Sequence, residues 1–135
     1  MKFRLFLTVS LLHTGFFLMA QTEAKITYPV VVSFNSQCCG VPSDSSLRKF
    51  ITAFKKRYKV KKIAAFEIGP LGREGEYCLA FNLKELNKKQ AAYFIAKVKN
   101  IKKLPSDKGT FSMDEKYEID PANLPKRAFK KEVLL

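Results

Sequence analysis

The stretch Gly69 to Gly75, GPLGREG, separates two segments of alternating apolar character and constrains the fold more than any other feature of the chain. Three glycines and a proline within seven residues tolerate the positive φ angles of tight turns and interrupt ladder pairing. Upstream, AAFEIG places Ala64, Phe66 and Ile68 on one side of an extended chain, with Ala65 and Glu67 on the other. Downstream, EYCLAFNL places Tyr77, Leu79, Phe81 and Leu83 on one side, with Cys78, Ala80 and Asn82 on the other. Two such segments joined through a glycine-rich loop predict an antiparallel hairpin.

A lone hairpin cannot bury its apolar face, so the flanking segments must cover it. Leu47, Phe50, Ile51, Phe54 and Tyr58 recur at helical spacing after Pro42, with Ser43 or Asp44 available as the cap. The opposite side of that helix carries Arg48, Lys49, Lys55, Lys56 and Arg57. A second stripe, Ala91, Phe94, Ile95, Val98 and Ile101, follows Asn87 and Gln90, which form a capping box with Asn in place of the usual Ser or Thr. Lys88, Lys89, Lys97, Lys99, Lys102 and Lys103 fall on its polar side.

Strand-like alternation also occupies Thr27 to Ser36, with Val30, Val32 and Phe34 opposed to Val31, Ser33 and Asn35. Phe111, Met113, Tyr117 and Ile119 give a last strand. The order strand, helix, strand, strand, helix, strand is the ferredoxin-like βαββαβ arrangement, an α+β fold. It implies an antiparallel four-stranded sheet with both helices on one face, spanning residues 25–120. Phe66 and Ile68 are expected beneath the helices, and the other sheet face is expected to be small and polar. Residues 121–135 lack a clear period and read as a C-terminal tail.

The N-terminus sets the compartment. Lys2 and Arg4 precede an apolar run from Leu5 to Ala20, and small residues follow at Ala20 and Ala24. That is the pattern of a secretory signal, with cleavage after Ala20 or Ala24. The run is shorter than a spanning helix and is interrupted by His13, Thr14 and Gly15, so no transmembrane span is expected after cleavage. The chain is therefore expected to be secreted or periplasmic. Its formal net charge of +13 falls by only one when Lys2, Arg4 and Glu23 leave with the signal. Outside the cytoplasm this charge points to an anionic envelope component or another exported protein and away from nucleic acid.

Three cysteines, Cys38, Cys39 and Cys78, stand against this background. The hairpin returns the third strand between the first two, so the end of the first strand and the start of the third share one edge of the sheet. A disulfide between Cys39 and Cys78 would suit an exported protein and stabilise it by about 4 kcal/mol through loop closure. Alternatively, Cys38, Cys39 and Cys78 supply three thiolates for a soft metal such as Cu(I) or Zn²⁺. The placement of Cys38 and Cys39 after the first strand resembles that of the cysteine pair in heavy-metal-associated domains, which is spaced by two residues, whereas Cys38 and Cys39 are adjacent. Adjacent side chains on an extended segment diverge, which opposes a shared ion. A redox thiol near the first helix, or inert buried thiols, complete the alternatives.

The only histidine is His13, in the signal segment, so the processed chain has no Ser-His-Asp triad, Cys-His pair or imidazole ligand. The acylphosphatase phosphate loop, which also follows the first strand of this topology, is not matched by NSQCCGVPSDSS. No cofactor and no catalysis are expected. Recognition is assigned to loops at one edge of the sheet: Cys38, Cys39, Gly40 and Ser43 from one, Arg73, Glu74 and Glu76 from the other. The lysine-rich helix faces are the second candidate surface.

Overall fold

A computed structural model of the protein describes residues 24–101 and 108–135. The expected signal segment lies outside the described residues up to position 23, as do Lys102 and Lys103. Five strands and two helices follow in the order β1 (Ile26–Ser36), α1 (Ser45–Tyr58), β2 (Ala64–Gly69), β3 (Tyr77–Phe81), α2 (Lys88–Ile101), β4 (Gly109–Ile119) and β5 (Phe129–Leu134), with a short 3₁₀ turn at Pro121–Asn123. No helix among the described residues is long and apolar enough to cross a membrane.

The fold is α+β with one antiparallel sheet in the order β4-β1-β3-β2-β5. The expected four-stranded sheet is corrected to five. Residues 121–135 are not a loose tail: they turn at Pro121–Asn123, cross one sheet face and pair along β2 as β5. Ile63 and Leu135 exchange two further main-chain hydrogen bonds, of 3.3 and 3.1 Å, which lengthen that ladder. A β2 edge left bare would present unsatisfied donors and acceptors, and β5 supplies their partners.

Both helices pack on the same face. Leu47, Ile51 and Phe54 of α1 and Phe94 and Val98 of α2 form one core with Val30, Val32, Phe34, Ala65, Leu79 and Phe81 of the sheet. Phe94 is wholly buried, and the ring centroids of Phe50, Phe54 and Phe81 each lie 5.4 Å from its own. The capping box of α2 forms as read: Asn87 N–H donates to Gln90 Oε1 and Gln90 N–H to Asn87 Oδ1, both at 3.0 Å. At α1 the cap position is Asp44, but its carboxylate accepts from Arg48 Nε at 2.6 Å instead of from a helix amide.

The opposite face is not small and polar. Tyr28, Val31, Ile68, Cys78, Ala80 and Ile119 form a second core, with Phe66, Leu71 and Leu124 packed against it. Phe66 and Ile68 thus lie away from the helices, and Ala65 lies among the residues of the helix-side core. The pairing of Ala65 with Phe81 and of Phe66 with Ala80 fixes this register, which is one residue out of step with the expected one.

Strand parity also breaks once. Tyr28 and Val30, which a regular strand would place on one side, belong to different cores, as do Met113 and Ile119 on β4. Between them lie Pro29 and Lys116, the latter at φ +52°. Both paired strands turn over at the same level: the β1–β4 ladder skips Pro29 and Lys116 and resumes in the same phase, Tyr28 with Tyr117 on one side and Val30 with Glu115 on the other. Gly109, at the start of β4, sits so close to the Asn35 carbonyl and the Pro42 ring that a side chain has no room there.

Candidate functional site

Pairing of Phe34 with Tyr77 brings the end of β1 and the start of β3 side by side, and their rings stack with centroids 4.6 Å apart. Tyr77 also approaches Asp44. Burial, followed by the nearby Asp44 carboxylate, raises its hydroxyl well above the usual phenol range. The two loops expected to carry recognition therefore do emerge at one end of the sheet.

Their residues behave differently. Ser43 Oγ accepts from Ser45 N–H at 3.2 Å and so serves the entry to α1. Glu76 turns into its own loop: its carboxylate accepts from Glu74 N–H at 3.0 Å and fills the space beside Gly72, while its carbonyl accepts from Leu71 N–H at 2.6 Å. Arg127, from the segment ahead of β5, donates to the Gly72 carbonyl and ties the loop to the crossing segment. Arg73 and Glu74 are exposed. The Glu76 carboxylate thus has a structural occupation in its own turn, whereas Glu74 contributes only its main-chain N–H.

The cysteines overturn two expectations. Cys78 stands in register with Ser33 on the face away from the helices, 5% exposed, and burial pushes its thiol up to about 11. From Ser33 the first strand runs on to Ser36, on the order of 10 Å, before the loop of Cys38 and Cys39 begins. Cα atoms must come within about 7 Å for a disulfide, and the expected Cys39–Cys78 bridge is not formed. Three thiolates do not gather on one ion either: among the described residues no three metal-ligating side chains cluster. Conversely, the adjacent side chains of Cys38 and Cys39 do not diverge. Cys39 (φ +63°) and Gly40 (φ +111°) bend the chain sharply, and the two sulfurs lie 3.1 Å apart on an exposed turn.

On the far sheet face, two grooves of about 310 and 340 Å³ flank the crossing segment. Val31, Ser33, Leu71, Cys78 and Asp114 line one; Ile26, Tyr28, Pro125 and Lys126 contribute to the other. Lys130 of β5 places its ammonium 4.4 Å from the Phe66 ring centroid and 5.7 Å from that of Tyr28. Neither groove was visible in the sequence, because the segment that creates them showed no period.

The helix layer has the plainest electrostatics. Together α1 and α2 carry Arg48, Lys49, Lys55, Lys56, Arg57, Lys88, Lys89, Lys97 and Lys99, and no acidic residue. Arg48 pairs with Asp44, Lys99 pairs with Glu115, and Lys55 donates to the Leu135 carbonyl. The Arg57 guanidinium lies 5.6 and 5.5 Å from the ring centroids of Tyr58 and Tyr93, and Lys97 lies 5.5 Å from Tyr93. Asp114, Glu115, Glu118 and Asp120 are concentrated on and just after β4, at the far edge of the sheet. Comparison with protein-family models, with curated proteins and with solved structures finds no significant match to this chain.

Proposed function

We propose that the chain is a small exported, non-catalytic binding domain that docks on an anionic envelope surface through its helix layer. The observation that carries this reading is the segregation of charge: two helices on one face of the sheet bear nine cations and no carboxylate. Six of these, Lys49, Lys56, Arg57, Lys88, Lys89 and Lys97, have neither a carboxylate partner nor a side-chain hydrogen bond among the described residues. Lys49 and Lys97 line one open depression between the helices with Phe50 and Ile101, and the other four are spread along both helices, an arrangement that suits a plane of phosphate-bearing headgroups better than one small anion. Each such residue near an anionic membrane contributes about 1 kcal/mol, and the attraction decays within a Debye length. Tyr58 and Tyr93, with cations held over their rings, add the amphipathic side chains favoured at such interfaces.

The Lys2 to Ala24 pattern supports a secreted or periplasmic location. The order β4-β1-β3-β2 supports a ferredoxin-like unit to which β5 is added. Soft-metal binding by Cys38, Cys39 and Cys78 together is not retained, since Cys78 lies on the sheet away from the other two.

The test is co-sedimentation with vesicles of phosphatidylcholine alone and of phosphatidylcholine mixed with phosphatidylglycerol, over a range of salt. Binding confined to the anionic vesicles, weakening with salt and abolished by combined Lys49→Glu, Arg57→Glu, Lys89→Glu and Lys97→Glu exchange, supports the reading. Equal binding to both vesicles, or retention by the charge-reversed variant, refutes it.

A further inference from the structure

The turn after β1 holds a second chemistry, separate from the helix layer. Its two ends are fixed: Gln37 N–H donates to the Lys108 carbonyl at 3.1 Å, and Pro42 is buried with Val41 packed on the helix-side core. Between them, consecutive positive φ angles at Cys39 and Gly40 fold the chain so that neighbouring side chains point the same way. The sulfurs of Cys38 and Cys39 are in contact at 3.1 Å, and both residues are exposed. In an extended segment they would point to opposite sides. We propose that Cys38 and Cys39 form a solvent-facing vicinal dithiol–disulfide site whose reaction partner is a disulfide-bearing oxidant.

The step balances as thiol–disulfide exchange. One thiolate of the pair attacks a sulfur of the donor disulfide, breaking its S–S bond and releasing one donor thiol. The second thiolate then attacks the protein sulfur of the mixed disulfide, releases the other donor thiol and closes the ring between Cys38 and Cys39. Two electrons and two protons pass from the pair to the donor. Cys78 takes no part, because it is buried in the second core on the sheet. In the reduced state the converged sulfurs also make a chelate for a trivalent arsenical, with loss of one water as two As–S bonds form.

The full chain is first reduced, then exposed to oxidised glutathione, and finally alkylated after unfolding and weighed. Closure of the pair predicts a final mass about 2 Da below that of the reduced chain carrying one alkyl group, with alkylation at Cys78 alone and the cross-link mapped to the peptide containing Cys38 and Cys39. Cys39→Ser and Cys38→Ser should instead accumulate a lasting glutathione adduct, since the resolving thiol is gone, while Cys78→Ala should close normally. Phenylarsine oxide should bind the reduced chain one to one and fail to bind either serine variant. Full alkylation of both loop cysteines after oxidation overturns the proposal. So does a stable glutathione adduct on the unsubstituted chain, or a disulfide that includes Cys78 or a second chain. Circular dichroism of the serine variants confirms that an exposed turn, and not the fold, has been altered.

Discussion

The side-chain ammonium of Lys55 on α1 donates to the main-chain carbonyl of Leu135, 2.8 Å away and 80 positions along the chain. With the Ile63–Leu135 pair it fastens β5 to both layers of the fold. Deleting residues 121–135 should therefore do more than shorten the chain. It leaves β2 as an edge and uncovers Tyr28, Phe66 and Ile68, at a cost of several kcal/mol on the scale of about 1.5–3 kcal/mol per buried large side chain. Urea denaturation should show a much lower midpoint, and a dye sensitive to apolar surface should bind. Lys55→Ala, which removes a single hydrogen bond, should cost only about 1 kcal/mol.

Phe94 is the sharpest test of the helix-side core. Its ring meets Phe50, Phe54 and Phe81, and none of it reaches solvent. Phe94→Ala should lower the unfolding free energy by about 3–5 kcal/mol, through lost transfer energy and the cavity left behind. A change below about 1 kcal/mol in chemical denaturation would mean that this ring does not organise the core.

Two helix ends should respond with opposite signs. Asn87→Ala removes the Oδ1 that accepts from Gln90 N–H, leaving the reverse bond from its own main-chain N–H, and should destabilise by about 1 kcal/mol. Lys59 closes α1 in a left-handed conformation, φ +53° and ψ +36°, with its N–H bonded to the Lys55 carbonyl. Glycine adopts that conformation without steric cost, so Lys59→Gly should raise stability by about 0.5–1 kcal/mol. Thermal melts of the two variants beside the parent chain read both effects.

Alkaline stability should report on Cys78. Burial lifts its thiol from the ordinary 9.0 to about 11, so the folded chain holds this proton more tightly than the unfolded one. The resulting stabilisation is present in full below about pH 9 and is lost as pH rises through about 11. Its total is about 2–3 kcal/mol at roughly 1.4 kcal/mol per pH unit of displacement. Cys78→Ala should flatten the fall of unfolding free energy across that window, measured by urea titrations at a series of pH values. Parallel slopes for the two proteins would count against a buried, protonated thiol.

Helical elements were legible because their signal is local. The stripe from Leu47 to Tyr58, the stripe from Ala91 to Ile101 and the Asn87–Gln90 capping box each fall within a few turns of chain, and each packs or bonds as read. The hairpin around GPLGREG was equally plain. Of the candidate recognition residues, the chain order placed both loops at one end of the sheet. It gave no sign that Glu76 is consumed inside its own turn, since that bond depends on the loop conformation.

Residue type and short-range spacing suffice for the apolar faces of α1 and α2, the hairpin and the excess of positive charge. Tertiary structure alone decided three things: which side of β2 meets the helices, where residues 121–135 go, and how the thiols are grouped. The first turns on register, because with a strand period of two a slip of one residue exchanges inside and outside. The second depends on the unsatisfied edge of β2, a distant partner that imposes strand geometry on a segment without its own pattern. The third rests on backbone angles at Cys39 and Gly40, which bring neighbouring sulfurs together while the β1–β3 ladder holds Cys78 on the sheet.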